Sequence, residues 1–313
     1  MITFLRDLWR RTPPRLRGIL ERSGVPYALS FIVKYEQSHR IEFFVANLIQ
    51  LNEIYFKSDP HAKSEIEKKI EIIVDNLVMP NGVKKTTYTN RLSGVISEAL
   101  CSVRLADRDL RILDVPSSTG TTSRQTLELL QKQHRVERFV LGDLYHNILY
   151  DKRRRCVYDE QGNLLQVAFK RYYFNIYKGH EFGEQYTLLS TLLLLPHSIV
   201  SWFLKKRYRL YFDSHIQRMS LIHPDVERLL NNGVVELREV DIFNNIPGEY
   251  DLIISFNLLQ KNYFSADAIS VGIANLAASL TEGGVLVLGD TESYRVMQKE
   301  DGILITCMHK GEF

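Results

Sequence analysis

Cysteines are scarce in this chain of 313 residues, and their arrangement disfavours two classes of protein. The three cysteines, Cys101, Cys156 and Cys307, lie far apart and form no CxxC pair. This argues against a disulfide-stapled scaffold and a zinc ribbon, so we expect a reducing compartment and no metal site. Internal repeats and low-complexity tracts are also missing, and the 45% of hydrophobic residues predicts a globular protein with a sizeable core.

The sequence also lacks the pattern of a secretory signal peptide, because arginines interrupt every apolar run of residues 1–24. We therefore expect a cytoplasmic protein. One long uncharged stretch, 186–204, approaches the roughly 20 residues that span a bilayer. Topology disfavours a single membrane pass, because the strands predicted before and after this stretch belong to one sheet.

Charge of one sign is concentrated in parts of the chain, although the net charge is only +3. Residues 1–24 carry six basic and two acidic groups, and residues 144–212 carry eleven basic and five acidic groups. Residues 213–313 carry seven basic and fifteen acidic groups. A solvated surface accounts for this distribution, and so does a field that turns the two basic segments toward an anionic partner.

The hydrophobic pattern predicts a helical N-terminal domain at 1–105 and a Rossmann-like domain at 106–313. In the first domain, apolar residues recur at helical spacing over 40–57, 66–77 and 88–103. In the second, short apolar strands alternate with amphipathic helices, which is the pattern of a parallel sheet covered on both faces. The predicted strands lie at 110–115, 136–141, 234–240, 250–256 and 285–288.

The fold class predicted from this pattern is α/β, with a doubly wound, mostly parallel Rossmann-like sheet and one antiparallel edge strand. The antiparallel strand is inferred from two apolar runs within 294–310, because the Asp301-Gly302 dipeptide between them predicts a hairpin. About ninety residues separate the second and third strands, where a crossover needs only a dozen or more. Residues 146–220 are therefore predicted to be an insertion.

The insertion is expected to contain a hairpin over 155–169 and an apolar helical segment over 186–204. Pro196-His197 in the middle of that segment predicts a broken helical hairpin. Apolar residues that include a Trp are followed at once by a Lys/Arg cluster at 205–209, which is the pattern of an interfacial membrane element. A buried lid or an oligomer interface is the favoured interpretation of this segment, and membrane contact is the alternative.

Contact of segments 1–24 and 186–212 with an anionic membrane at the inner face is the alternative that the sequence leaves open. Both combine apolar residues with closely spaced arginines or lysines. Nucleic acid is the less favoured anionic partner, because no known nucleic-acid module appears.

Polar residues follow the predicted strands at the ends where a ligand would bind. Gly120, in the loop after the first strand, lets a ligand approach the backbone, and the helix that follows offers free N–H groups. Asp143 ends the second strand, where a carboxylate can accept both ribose hydroxyls. Asp241-Ile242 ends the third strand and suits an adenine, while Asp251 and segment 255–257 belong to the fourth. The arrangement predicts a nucleoside-like ligand, and helix capping is the alternative for each acidic residue.

The loop Ser117-Ser118-Thr119-Gly120 and the stretches 251–259 and 278–284 resemble the class I S-adenosylmethionine-dependent methyltransferases. In motif style they are most similar to the chemoreceptor methyltransferase branch. The resemblance covers 110–143 and 222–313, and it implies S-adenosyl-L-methionine as the cofactor and methyl transfer as the activity. It implies these cofactor-binding residues: Asp114 and Gly120 at the methionine end, Asp143 at the ribose, Asp241 at the adenine, and Ser118, Ile242 and Asn257 beside them.

The sequence departs from the family pattern in ways that leave the acceptor open. The loop has a single glycine, contains Pro116, and is followed by Thr121-Thr122 where the chemoreceptor enzymes often have an acidic pair. No Asn/Asp-Pro-Pro-Tyr box follows the fourth strand, which disfavours base amines and glutamine amides. A protein carboxylate, a small molecule and a lipid all remain as acceptors, and the insertion is expected to select among them. The candidate bases are His146, His197, His215, His223 and Tyr145, with no preference among them.

Two other functions fit parts of the same pattern. A non-catalytic binding or scaffold protein on a degenerate methyltransferase fold would explain the single glycine. A nicotinamide-dependent enzyme would also place an acid after the second strand, but Asp241-Ile242 and the C-terminal hairpin argue against it. Oligomerisation is compatible with each function.

Overall fold

The computed structural model describes residues 37–85, 94, 97–99, 105, 108–177, 188–211, 215–261, 263–290 and 292–311. The basic segment 1–24 lies outside the described residues, as does most of the predicted helix 88–103. The chain divides into two compact units. The core unit comprises 50–74, 85–148 and 219–313, and the insertion unit comprises 1–49, 75–84 and 149–218. The domain boundaries expected from the sequence stay a prediction.

The part of the chain that is described before the first strand, 37–85, contains two α-helices of eight residues or more. After 3-10 turns at Ile41–Phe43 and Val45–Asn47, helix α1 spans Leu48–Tyr55 and helix α2 spans Pro60–Asp75. Helix α2 begins where the carboxylate of Asp59 accepts the backbone N–H groups of His61 and Ala62. The residues that helical spacing places on its inner face, Ile66, Ile70, Ile73 and Val74, are buried.

From residue 110 onward, strands and helices follow in close succession. In chain order they are β1 (Leu110–Asp114), α3 (Thr121–Leu130), β2 (Val136–Asp143), β3 (Asn147–Asp151), β4 (Cys156–Asp159), β5 (Leu164–Phe169), β6 (Tyr172–Asn175), α4 (Leu188–Arg207), β7 (Ile216–Ser220), α5 (Pro224–Asn231), β8 (Glu236–Glu239), β9 (Tyr250–Phe256), α6 (Ala266–Ala278), β10 (Leu280–Gly289), β11 (Tyr294–Glu300) and β12 (Ile303–Lys310).

Seven of these strands form one sheet in the order β12-β11-β10-β9-β1-β2-β8. Strands β8, β2, β1, β9 and β10 are parallel, β11 is antiparallel to β10, and β12 is antiparallel to β11. The predicted fold class, a mostly parallel Rossmann-like α/β sheet, is confirmed. The antiparallel strand β11 lies one position in from the edge, because the turn at Asp301-Gly302 folds β12 back onto its outer side.

Both faces of this sheet are buried, which explains why its central strands are apolar at nearly every position. Along β1, Ile112 packs into the cluster that contains Leu127 of α3 and Val226 of α5. The next residue, Leu113, packs into the opposite cluster with Leu276 of α6. Alternation of side chains between the two faces of a strand produces this division.

The insertion unit is organised around a second sheet with the strand order β6-β5-β4-β3-β7. Strands β4 and β5 pair antiparallel and form the hairpin expected over 155–169. An apolar cluster joins the sheet to helix α4, because Leu204 packs with Cys156, Tyr158 and Val167.

Helix α4 is continuous from Leu188 to Arg207 and contains Pro196 in its interior. The broken helical hairpin predicted at Pro196-His197 is therefore wrong. A proline removes one main-chain hydrogen bond, and the bonds of the flanking turns continue the helix. Within the part of the chain that the structure describes, no helix combines the length and the apolar character needed to cross a membrane.

Candidate functional site

The strand order of the seven-stranded sheet reverses at β1, and most of the predicted ligand residues follow the carboxyl ends of its strands. The chain passes from β1 to β2 and β8 on one side, while β9 and β10 lie on the other side. Open α/β sheets bind their ligands at such a reversal. The N–H of Val115 donates to the carbonyl of Ile254 at 2.9 Å, and the N–H of Ser117 donates to that of Gly142 at 2.8 Å. The loop after β1 is therefore bonded to both neighbouring strands.

The loop ends at Gly120, where both the backbone conformation and the available space favour glycine. Gly120 has a φ of 80°, in the left-handed region, and it immediately precedes the first residue of helix α3. A Cβ atom at this position would lie 2.8 Å from Cγ1 of Val226, closer than real contacts allow. The glycine thus has a structural reason in the packing of α5 against the loop.

Asp143, at the end of β2, is buried and has partners on both carboxylate oxygens. Its Oδ2 accepts the N–H of Ser118 at 2.9 Å, and its Oδ1 accepts the N–H of Tyr145 at 3.0 Å. The same Oδ1 accepts a hydrogen bond from the ammonium of Lys85. The loop and the end of β2 are thereby joined through this one carboxylate.

Lys85 is a site residue that sequence reasoning missed. It is buried, and burial lowers the pKa of its ammonium while the charge of Asp143 opposes that shift. Its carbonyl accepts a hydrogen bond from the Ser118 hydroxyl at 3.1 Å. The residue precedes Asp143 by 58 positions and belongs to no motif, so no local signal marked it.

Asp114 is a buried carboxyl whose pKa lies close to neutrality. Burial raises the pKa of Asp114 to about 7, the neighbouring Ser123 hydroxyl opposes the rise, and the negative charge of Asp143 adds to it. Near pH 7 this carboxyl is therefore divided between its charged and neutral forms. The neutral form donates one hydrogen bond and the charged form only accepts.

Two buried hydroxyls at this edge of the sheet provide a test of whether a polar ligand fits. Ser117 follows β1, and Ser255 lies near the end of β9 beside Ile254. Among the described residues, neither hydroxyl oxygen has a hydrogen-bond partner. A buried polar group without a partner costs about 1–3 kcal/mol. A ligand with donors and acceptors would remove that cost, so the residues present fit a nucleoside-like cofactor.

Asp241 hydrogen-bonds to the residues that follow it in the chain, and Ile242 packs in the apolar core. The Asp241 carboxylate accepts the N–H of Phe243 at 3.0 Å and the side-chain amide of Asn244 at 2.8 Å. Ile242 is buried in the apolar cluster that contains Leu259 and lies against α6. These contacts are those of a turn and a core position, and a role in adenine binding stays a prediction.

Strand β9 carries one expected residue at each end. Asn257 follows its carboxyl end in a left-handed conformation, with a φ of 59°, and its N–H donates to the carbonyl of Gly289 at 2.8 Å. Asp251 lies at the amino end, where its Oδ2 is 3.3 Å from Nε of Arg111 and its Oδ1 bonds to Arg108. The expectation that Asp251 faces the ligand site is therefore wrong, because it holds the opposite edge of the sheet together.

Three of the candidate bases make contacts that account for them structurally. His223 caps helix α5 through Nδ1, which accepts a backbone N–H at 3.3 Å, and burial lowers the pKa of its imidazole. Nε2 of His146 lies 2.7 Å from the carbonyl of Arg238, and Nε2 of His197 lies 3.0 Å from that of Asn175. None of the three is assigned as a base.

No protein-family description matches this sequence, and no curated protein does either. Among solved structures, the chain is similar to the N-methyltransferase NodS from Bradyrhizobium japonicum WM9 in complex with S-adenosyl-L-homocysteine, with 14% identity over 64% of this chain and 62% of that chain and a TM-score of 0.29. It is also similar to an S-adenosylmethionine-dependent methyltransferase from Clostridium acetobutylicum ATCC 824, with 14% identity over 68% of this chain and 63% of that chain and a TM-score of 0.29. A third similar structure is the amino pentose methyltransferase CalS10 from Micromonospora echinaspora with bound SAM, with 12% identity over 68% of this chain and 64% of that chain and a TM-score of 0.28. The chain spans less than two thirds of the length of each. At these identities and TM-scores the likeness carries no conclusion about this chain's activity, cofactor or substrate.

Proposed function

We propose that this protein transfers a methyl group from S-adenosyl-L-methionine to an acceptor. The observation that carries the proposal is the pair of buried hydroxyls, Ser117 and Ser255, which have no partner in the described chain and lie where the strand order reverses. When bound, the cofactor supplies a methyl group on a positively charged sulfonium. Methyl transfer depends above all on the alignment of acceptor and methyl group, so the absence of an assigned base is compatible with it.

The residues around these hydroxyls would hold different parts of the cofactor. Asp114, together with the backbone of Ser118 and Gly120, would line the methionine end. Asp143 would accept hydrogen bonds from the ribose. Asp241 would serve the adenine, with Ile242 and Asn257 beside it.

The proposal requires the hydrogen bond from Lys85 to Oδ1 of Asp143 to break when the ribose binds. In the structure, the lysine and the N–H of Tyr145 share Oδ1, while Oδ2 is bonded to Ser118. Since burial disfavours the ammonium form of Lys85, release of the ion pair is easier than for a lysine with an ordinary pKa. We therefore infer that Lys85 competes with the ribose for Asp143.

Calorimetry with S-adenosyl-L-homocysteine tests the cofactor assignment directly. We expect binding, and we expect Asp143→Asn to weaken it by about 1–3 kcal/mol, the value of a lost buried hydrogen-bond partner. Asp251→Asn is the matched control, because Asp251 is also a buried carboxylate of the core unit but lies at the opposite edge of the sheet. Its affinity should equal that of the unaltered protein. No binding below about millimolar, a Kd that corresponds to about −4 kcal/mol, would contradict the proposal.

The ion pair between Lys85 and Asp143 also favours a second function, a non-catalytic binding or scaffold protein on the same fold. In that case the lysine occupies the ribose position permanently. Lys85→Met separates the two functions, because it removes the ammonium and keeps an unbranched apolar side chain. A methyltransferase should bind S-adenosyl-L-homocysteine more tightly after this change, whereas a scaffold protein should bind it in neither form.

The acceptor is the finer part of the proposal, and we infer that the insertion selects it. The insertion leaves β2 directly after Asp143, the residue assigned to the ribose. Incubation with tritium-labelled S-adenosyl-L-methionine, followed by separation of protein, lipid and small-molecule fractions of a cell extract, should place the label in one fraction. Label in none of them, despite cofactor binding, would contradict methyl transfer to an acceptor in that extract.

A further inference from the structure

The outer face of helix α4 exposes large apolar side chains to solvent. Ile199, Val200, Trp202 and Phe203 have exposed fractions of 58, 41, 65 and 55%, and we call these four residues the ridge. Soluble monomers rarely expose contiguous apolar patches of more than a few hundred Å², and larger ones mark contact with a protein, a ligand or a membrane. The ridge therefore indicates a contact surface.

The ridge points outward because the opposite face of helix α4 is fixed to the insertion unit. Ser201 is buried, and its hydroxyl donates to the carbonyl of Ile176 at 3.1 Å. Nε2 of His197 lies 3.0 Å from the carbonyl of Asn175, and Leu204 is buried in the apolar cluster. Positions 197, 201 and 204 share one face of a helix, so the ridge cannot turn inward without the loss of these contacts.

Cations follow the ridge along the chain, and a second, distant chain segment places further cations beside them. The first segment ends and follows helix α4, and the second is the turn between β3 and β4. Nη1 of Arg154 donates to the carbonyl of Arg209 at 3.0 Å, and its guanidinium lies 5.7 Å from the ring centre of Tyr211, so the two segments are in contact. The exposed cations, which we call the basic border, are Lys205, Lys206, Arg207, Arg209, Lys152, Arg153 and Arg155.

Among the described residues near the basic border, the acidic side chains pair with cations that do not belong to it, and Glu160 is paired with Arg218. Residues 188–211 contain no Asp or Glu. Asp151, at the start of the β3–β4 turn, is buried, and its Oδ2 lies 2.6 Å from Nε of Arg154. The surface beside the ridge is therefore positive, and it complements an anionic partner.

We propose that the ridge and the basic border dock this protein on an anionic membrane surface, with helix α4 lying along the interface. Aromatic and aliphatic side chains enter the boundary between headgroups and acyl chains, while Lys and Arg bind the anionic headgroups. The ammonium of Lys206 lies 5.5 Å from the ring centre of Trp202, so one residue of each kind already stands side by side. A nucleic acid would use the cations and the aromatic rings, but it would leave Ile199 and Val200 exposed.

The docking proposal does not depend on methyl transfer, and sedimentation with lipid vesicles tests it. The full chain should sediment with phosphatidylcholine vesicles that contain phosphatidylserine, and much less with pure phosphatidylcholine. Each cation near an anionic surface contributes about fivefold to the partition coefficient, so Lys205→Glu/Lys206→Glu should lower it by about 25-fold or more. Lys57→Glu/Lys132→Glu, at two exposed lysines of the core unit, is the matched control and should change it little.

The apolar part of the contact is tested with Trp202→Ser/Phe203→Ser. Loss of two half-exposed aromatic side chains should lower the partition coefficient by at least about tenfold. The matched control is Ile303→Ser/Ile305→Ser, because these side chains are exposed to a similar degree, at 68 and 46%, but lie on β12 of the core unit. The control should partition like the unaltered protein.

Tryptophan fluorescence tests the proposal without any change to the ridge, so it remains informative even where a ridge variant fails to fold. The chain has two tryptophans, so Trp9→Phe leaves Trp202 as the only tryptophan. Anionic vesicles should shift its emission to the blue and allow quenching by brominated acyl chains.

Several results would overturn membrane docking. Equal recovery with neutral and anionic vesicles, or an unchanged Trp202 emission, excludes it. A dimer that Trp202→Ser/Phe203→Ser converts to a monomer, without vesicle binding, would assign the ridge to a second copy of this chain. Binding of a single-stranded oligonucleotide in place of vesicles would assign the basic border to nucleic acid.

Discussion

At the scale of single residues, Gly120 combines an unusual backbone conformation with a close packing contact. Its left-handed φ costs other residues about 1–2 kcal/mol, and a Cβ against Val226 adds about 1–3 kcal/mol of overpacking. We therefore expect Gly120→Ala to lower the free energy of unfolding by about 2–5 kcal/mol, measured by urea denaturation. Gly233→Ala is the control, because Gly233 has a φ of +69° but nothing in the described chain within 4 Å of a Cβ. Equal losses in the two variants would show that the contact with Val226 is irrelevant.

Asp114 predicts a dependence of stability on pH. Its pKa is about 7 in the folded protein, against about 3.9 in an unfolded chain. Between these values the folded state binds more protons, so the free energy of unfolding falls as pH rises from about 4 to about 7, by up to about 1.4 kcal/mol per unit. Asp114→Asn has no proton to lose, so urea denaturation from about pH 5 to pH 8 should show its stability gaining on that of the unaltered protein up to about pH 7. Parallel curves would contradict a buried, titrating carboxyl.

The ligand residues that follow a strand were accessible to sequence reasoning, and those that depend on distant pairing were not. Asp143 ends a recognisable apolar strand, so its place at the carboxyl edge could be predicted. Lys85 binds the Asp143 carboxylate although it precedes Asp143 by 58 residues in the sequence. Neither periodicity nor spacing predicts such a contact. The sequence interpretation places Asp251 at the wrong end of β9. The residue is near the start of this strand, so it lies at the edge of the sheet opposite the carboxyl ends where a ligand would bind.

At the scale of elements, β12 is the edge strand of the seven-stranded sheet with the least protection. It ends the described strand order, and Ile303 and Ile305 are both exposed on one face. Exposed apolar edge strands pair with other chains unless a charge opposes it. We expect Ile305→Lys to reduce self-association at high protein concentration, measured by light scattering, with a change in unfolding free energy within about 0.5 kcal/mol. Val271→Lys on helix α6, where the side chain is 49% exposed, should leave self-association unchanged.

Elements with a strong period were predictable, while their partners in the second sheet were not. The strands β1, β2 and β9 and the hairpin of β4 and β5 form at or close to the positions that alternation and turn residues indicate. Strands β3 and β7 are neighbours in a sheet although most of the insertion separates them along the chain. Helix α4 passes through Pro196 because helix formation is cooperative over many residues, which a rule for one residue does not capture.

At the scale of the whole molecule, the two proposals use separate parts of the chain. The residues assigned to the cofactor, from Asp114 to Asn257, all belong to the core unit, as does Lys85. The ridge and the basic border belong to the insertion unit. A variant without the insertion would therefore lack the proposed membrane contact, but it would still contain every residue assigned to the cofactor.

This separation predicts two distinct patterns of amide hydrogen exchange. S-adenosyl-L-homocysteine should slow exchange in peptides that cover 113–121, 141–145 and 241–244, because a bound ligand stabilises the segments that it contacts. Anionic vesicles should slow exchange around the β3–β4 turn and in 205–211, while the interior of helix α4, already hydrogen-bonded, should change less. If the ligand protects only the insertion, the cofactor assignment fails. If vesicles protect only the core unit, the membrane contact lies elsewhere, and each proposal is thus judged by a segment that the other does not use.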